Sequence, residues 1–268
     1  MSGLHYVRAL KGVMGRELLR FVHQRERFIS ALVRPLMWLF IFAAGFRSTL
    51  GVAIIPPYET YILYEVYITP GLLGMVQLFN GMQSSLSMVY DREMGSMKTL
   101  LVSPLPRWYL LTCKLLAGVL VSVVQAYVFL GIAWLYGIEA PPLGYLAVMP
   151  ALVLSGLMLG ALGLLLSSFV KQLENFAGVM NFVIFPMFFL STALYPLWKI
   201  QESSEWLYAL AQYNPFTHAV ELIRFALYGQ FNPYAGFYTL AALALFLILA
   251  ILGYNPSKGM MQRKGGPS

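Results

Sequence analysis

The sequence predicts an all-α integral membrane protein. Six transmembrane helices are expected, with an N-terminal amphipathic interfacial helix and short re-entrant helices on the extracytoplasmic side before the last span. Three observations carry this reading. Of 268 residues, 59% are hydrophobic and 11% are charged, with a mean hydropathy of +0.69; a soluble domain carries about 25% charged residues. Charge-free runs of spanning length recur along the chain. Lys and Arg gather on alternate connections. Together these exclude a soluble globular enzyme and a disordered chain, and the single cysteine, Cys113, excludes a disulfide scaffold. The net charge of +7 reads as topology and not as nucleic-acid binding, because the basic residues are spread over several loops without a reading motif.

The elements follow in order. Residues 3–27 read as an amphipathic helix on the cytoplasmic face: Leu4, Val7, Leu10, Met14, Leu18 and Phe21 recur at helical spacing, and Arg8, Arg16, Arg20 and Arg27 fall mostly off that stripe. Lys11 and Arg25 break the pattern. The first span is placed at 28–46. It encloses Arg34, and an arginine at the bilayer centre costs roughly 2.5–3.5 kcal/mol on insertion scales. Arg34 lies in the first third of the span, from where its side chain is expected to snorkel to the headgroups. A hydrocarbon core of about 30 Å needs about 20 apolar residues. The charge-free runs Val66 to Tyr90, Leu115 to Ile138, Ala140 to Val170, Asn175 to Trp198 and Phe225 to Ser257 each allow one crossing. The expected spans are therefore 28–46, 65–89, 106–136, 144–169, 175–195 and 234–254. The organisation is an interfacial helix at 1–27, a membrane domain at 28–257 and a tail at 258–268.

Orientation follows from the basic residues. One side carries the N-terminal cluster with Arg34, Arg92, Lys98, Arg107, Lys114, Lys171, Lys258, Arg263 and Lys264; the other carries Arg47, Lys199 and Arg224. Both termini are thus expected in the cytoplasm.

Two connections are more than filler. In 90–107, Gly95 suits a helix cap, Ser96 to Val102 suit a short helix in the membrane plane, and Pro104 and Pro106 stop it. Such a helix held between two spans would act as a lever. In 196–233, Trp198, Trp206, Leu207, Leu210, Phe216, Val220 and Ile223 suggest re-entrant or interfacial helices. Asn214-Pro215 fits a helix start and Gly229 its end. His218, Glu221 and Arg224 fall three apart on one face, suited to weak ion pairing, with His218 expected as a surface-paired histidine. Within the fourth span, Gly156, Gly160 and Gly163 allow close helix packing, inside one chain or between two. The fifth span carries Phe176, Phe182, Phe185, Phe188 and Phe189; Phe182, Phe185 and Phe189 are candidates for lining a substrate path, against the plainer reading of core or lipid-facing aromatics.

No ionisable residue is expected near the middle of a span, where proton- or sodium-coupled carriers need one. The sequence has no phosphate-binding G-x-x-x-x-G-K-[ST] loop, no H-E-x-x-H and no G-x-S-x-G. A transporter so built takes its energy from a partner. The rival reading is a stand-alone membrane enzyme on lipid headgroups, using His218, Glu221 and Arg224, or else a passive channel.

Asp91-Arg92-Glu93-x-Gly95 followed by Leu100-Leu101-x-Ser103-Pro104 resembles the loop after the second helix of ABC-2 type permeases, the membrane subunits of type-2 ABC exporters. Arg34-Pro35, Pro70-Gly71-Leu72-Leu73 and Tyr213-Asn214-Pro215-Phe216-Thr217-His218 agree with it, in order, and the flavour is that of nodulation-factor and drug-export permeases. The resemblance implies two permease copies, a homodimer, each engaged by a cytoplasmic ABC ATPase subunit that binds ATP and Mg; this chain binds no cofactor and no metal. It implies coupling through Asp91, Arg92, Glu93, Gly95, Lys98, Leu101, Ser103 and Pro104, a second contact near Ser168–Glu174, and an exit capped by 196–230. Substrates would be lipid-linked sugars, glycolipids, polysaccharides or amphipathic drugs.

Overall fold

The computed structural model describes residues 3–23, 25–46, 55–93, 106–170 and 172–253. Among them are ten helices: α1 (Gly3–His23), α2 (Arg25–Phe46), α3 (Tyr64–Glu93), α4 (Arg107–Leu135), α5 (Gly144–Phe169), α6 (Leu173–Phe189), α7 (Leu197–Ser203), α8 (Glu205–Tyr213), α9 (Pro215–Leu227) and α10 (Pro233–Gly253). α4, α5 and α10 are long and apolar enough to cross a membrane; α6 and the Ala31–Ile41 part of α2 are shorter apolar helices.

α3 is the centre of the bundle. Its 30 residues give about 45 Å of helix. It touches α2, α4, α5, α6 and α9, and its stretch from Tyr67 to Phe79 is buried throughout. Small residues let α5 come closest. A Cβ on Gly81 would lie 2.9 Å from the backbone of Leu159 and Gly160, and one on Gly163 would lie 2.6 Å from the Gly81 carbonyl. The small-residue stripe of the fourth span is therefore used within the chain. With lipid as apolar as leucine, such backbone proximity supplies the dispersion contacts that hold membrane helices together. α3 and α4 are further tied by side-chain amides: the Ser122 hydroxyl donates to Gln77 Oε1 at 2.5 Å, and Asn80 Nδ2 donates to Gln125 Oε1. Bonds of this kind contribute about 0.6 kcal/mol each in a membrane interior.

α10 packs on α5 and α9 at the outside of the bundle, with Phe237, Leu240, Leu245, Ile248 and Leu252 exposed. α1 lies along the opening turns of α4. Tyr109 donates its hydroxyl to the Tyr6 carbonyl at 2.5 Å, and the two rings meet edge to face with centroids 4.9 Å apart. Leu10, Met14 and Leu18 are half-buried while Arg8, Lys11 and Arg16 are exposed, as an amphipathic helix requires.

Two expectations are corrected. The sequence predicts a fifth span to 195, but α6 ends at Phe189. Beyond it the backbone finds partners on α3 in place of its own helix: Tyr67 donates to the Thr192 carbonyl at 3.1 Å and Tyr64 to the Leu194 carbonyl at 2.9 Å. Arg34 does not sit near a helix end. Its guanidinium lies over the Phe79 ring, Cζ 3.9 Å from the centroid, and Phe79 is midway along α3.

Candidate functional site

The densest polar constellation among the described residues lies where α9 enters the bundle. The local sequence explains its entry. Asn214 caps α9: its Oδ1 accepts from the Phe216 N–H at 3.0 Å, and Pro215 at the first helical position needs no donor partner. The Asn214 amide donates to the carbonyls of Met187 at 2.8 Å and Leu190 at 2.6 Å, tying α9 to the end of α6. Thr217 donates to the Ala211 carbonyl at 2.7 Å. Phe216 and Val220 pack over Gly74 of α3, where a Cβ would lie 2.9 Å from Val220. α9 therefore starts deep, about three turns below the start of α3, and runs outward to Leu227.

Arg224, one of the sequence candidates, is the hub. It is 2% exposed. Nη1 pairs with Glu221 one turn back. Nη2 donates to the Thr192 carbonyl at 2.7 Å and more weakly to the Tyr67 carbonyl at 3.5 Å. The guanidinium also stacks over Tyr67, 4.1 Å from the ring centroid. Burial disfavours its charge, but Glu221 and the phenols of Tyr67 and Tyr58 outweigh that and hold the proton more tightly than usual. One side chain thus joins α9, α3 and the 190–195 segment. Tyr58 closes the cluster from the other side, ring to ring with Tyr228 at 4.7 Å; burial pushes its phenol up, against the Arg224 charge.

His218 faces away from this hub and is no surface histidine. It is 5% exposed. Its Nε2 hydrogen-bonds the Gln212 carbonyl at 2.9 Å, and its ring lies against Tyr238 with centroids 3.8 Å apart. The helical spacing that puts His218, Glu221 and Arg224 on adjacent turns does not bring the imidazole to the Glu221–Arg224 pair, since Tyr234 and Tyr238 of α10 hold it. Burial lowers its pKa from the ordinary imidazole value; the Gln212 hydrogen bond and the Glu221 charge oppose this without cancelling it. The three residues of the rival enzyme reading therefore form two separate packing contacts.

Of the coupling residues, Asp91, Arg92 and Glu93 form the last turn of α3. Gly95, Lys98, Leu101, Ser103 and Pro104, with the expected helix at 96–102, lie outside the described residues, as does the 258–268 tail. The described chain resumes at Pro106, and α4, which follows it, packs on α1. The second expected contact, near Ser168–Glu174, takes in the end of α5 and the start of α6. Phe182, Phe185 and Phe189 are all exposed on the outward side of α6, whereas Phe176 and Phe188 are buried.

The residues missed by sequence reading are Tyr58, Tyr67 and Thr192. Their signal is weak: two tyrosines and a threonine at apolar flanks, each meaningful only once Arg224 is seen to need partners. The Pro70-Gly71 motif gains a reason here, because a Cβ on Gly71 would fall 2.3 Å from the Ala193 carbonyl.

Residues 8–228 match the family described as ABC-2 type transporter. A transport permease named ycf38 from Cyanophora paradoxa is 27% identical over 231 residues, covering 84% of this chain and 76% of that protein. A multidrug ABC transporter permease named YbhR from Escherichia coli (strain K12) is 33% identical over 171 residues, 62% of this chain and 45% of its own length. Nodulation protein J of Rhizobium leguminosarum bv. viciae is 30% identical over 100 residues, 35% of this chain and 38% of its own. A family match across so much of the chain, on a bundle of apolar helices, makes this protein a member of the ABC-2 type transporter family: a multi-pass transmembrane permease subunit, with ATP hydrolysis on a separate subunit.

Proposed function

We propose that this chain is the permease of an ATP-driven exporter that moves an amphipathic, lipid-linked or drug-like substrate out of the cytoplasm or inner leaflet. Two copies form the pathway, and two cytoplasmic ATPase subunits drive it with ATP and Mg. The observation that carries this reading is the family match over residues 8–228 in a chain with no phosphate-binding loop of its own.

Six helices cross the membrane in this reading: α2, α3, α4, α5, α6 and α10. Both termini lie in the cytoplasm of a bacterial inner-membrane protein. α7, α8 and α9 then form the extracytoplasmic cap, with α9 re-entrant. Support for the cap comes from the depth at which Phe216 packs on Gly74. Closure of the ATPase pair would push the loop after α3, and α3 would carry the movement to α9 through Tyr67 and Arg224. The outward aromatic face of α6, with Phe182, Phe185 and Phe189, would meet lipid, substrate or the second copy.

The test is made on the loop. Glu93→Ala and Gly95→Pro should abolish transport-coupled ATP hydrolysis while membrane insertion and the yield of intact complex stay unchanged. Coupled hydrolysis at the wild-type rate in both variants would remove the loop from the mechanism.

A further inference from the structure

Arg34 is a second arginine that the fold places deep, and its surroundings differ from those of Arg224. Its guanidinium lies over Phe79, halfway along α3, at the depth of the Asn80–Gln125 and Gln77–Ser122 pairs. Arg34 is exposed on the outside of the bundle, where Arg224 is buried inside it. Half-buried Asn80 follows Phe79 directly, and half-buried Gln83 lies one turn further along the same face of α3. No acidic residue occurs between Val66 and Tyr90 of α3, nor anywhere in α4. Among the described residues no carboxylate pairs with Arg34. A guanidinium at this depth in hydrocarbon needs a partner, and an intramembrane charge with no carboxylate beside it among the described residues marks a path for charged cargo.

Resting on the reading of this chain as a permease for amphipathic molecules, we propose that Arg34 receives a phosphate headgroup at mid-bundle depth. The seam between α2 and α3 is the site, with Arg34 as its anion anchor. The planar guanidinium offers paired N–H donors to two phosphate oxygens. The ring of Phe79 holds it from behind by a cation–π contact. Gln83 adds an amide donor on the same face. The acyl or isoprenoid tail of the ligand would stay in lipid beside the exposed Met37 and Ile41 of α2. The ligand class is a phosphate-headed amphiphile.

The test is direct binding by the purified full chain in an uncharged maltoside detergent, read by native mass spectrometry. The probe is hexadecyl phosphate, and an uncharged hexadecyl glucoside of equal chain length is the control. The wild type should prefer the phosphate. Arg34→Gln should bind it about tenfold more weakly, the loss of a charge-assisted hydrogen bond, and Arg34→Lys should fall between the two, as a point charge still attracts phosphate but lacks the paired donors. Competition by phosphatidic acid would assign the site to lipid headgroups, and competition by inorganic phosphate to a free anion; either outcome keeps Arg34 as the anchor. Should Arg34→Gln fail to fold, Gln83→Leu reads the same seam, with an expected loss of about threefold. A wild type without preference between the two probes overturns the proposal, as does undiminished binding by the folded Arg34→Gln or Gln83→Leu chain. No ATPase partner enters the assay, so such a failure leaves the permease reading untouched.

Discussion

Arg224 and His218 lie six residues apart on one helix but face different neighbours. Arg224 is buried, charged and shared among three parts of the chain, so its removal leaves Glu221 and two carbonyls without their donor. Removing one partner of a buried pair costs about 3–5 kcal/mol. Arg224→Ala should therefore lower the melting temperature of the purified chain strongly, and Arg224→Lys should restore only part of it, because an ammonium cannot reach both Glu221 and Thr192 in one plane. A melting temperature for Arg224→Ala equal to that of wild type would show that the hub is dispensable. His218 gives a different signature. Its pKa is lowered in the folded chain, so protonation favours the unfolded state. The stability tied to His218 is complete above the ordinary imidazole pKa of about 6.5 and is lost as the pH falls through that value toward the lower folded one. His218→Gln keeps a donor to the Gln212 carbonyl and removes the titration. Melting curves at pH 7 and pH 5 should fall further apart for wild type than for His218→Gln.

At the scale of the element, α3 and its neighbours decide the fold. Gly71 is the tightest point, with the Ala193 carbonyl 2.3 Å from where a Cβ would stand. A methyl there cannot be met by a rotamer change, since the obstacle is backbone. Gly71→Ala should cost about 1–3 kcal/mol, the range for overpacking, and should loosen the 190–195 segment; proteolysis or hydrogen exchange across 190–196 measures this. Much of this level was legible in the sequence. Asn214-Pro215 marks the start of α9 through its own capping chemistry, and Gly156, Gly160 and Gly163 mark close packing by size alone. Other features were not legible, because their causes lie far away in the chain. The end of α6 at Phe189 depends on hydroxyls of Tyr64 and Tyr67, more than a hundred residues earlier. The burial of His218 depends on α10. The depth of Arg34 depends on how α2 slides against α3, which no periodicity within α2 records.

For the whole molecule, the arrangement suits a device driven from one end and opened at the other. α1, the last turn of α3 and the first turn of α4 gather at one end; α9, Tyr58 and the 190–195 segment gather at the opposite end of the same α3. In the proposed exporter, a rigid helix touching five others, packed too tightly to compress, would transmit displacement between two such ends. The membrane class was readable from composition and span-length runs, because these depend on the solvent; the family was readable only through short motifs that resemble those of ABC-2 type permeases. The cargo was not, because it depends on which side chains the bundle turns toward the path. This bundle does not act alone but is powered by a separate nucleotide-binding subunit. The most direct measurement is co-purification of the tagged chain in mild detergent from its native membrane, with quantitative mass spectrometry and an ATPase assay. The expected result is one ABC ATPase subunit per permease chain, and ATP hydrolysis in the purified complex. A chain that purifies by itself, and that retains its transport or enzymatic activity with no ATPase present, would contradict it.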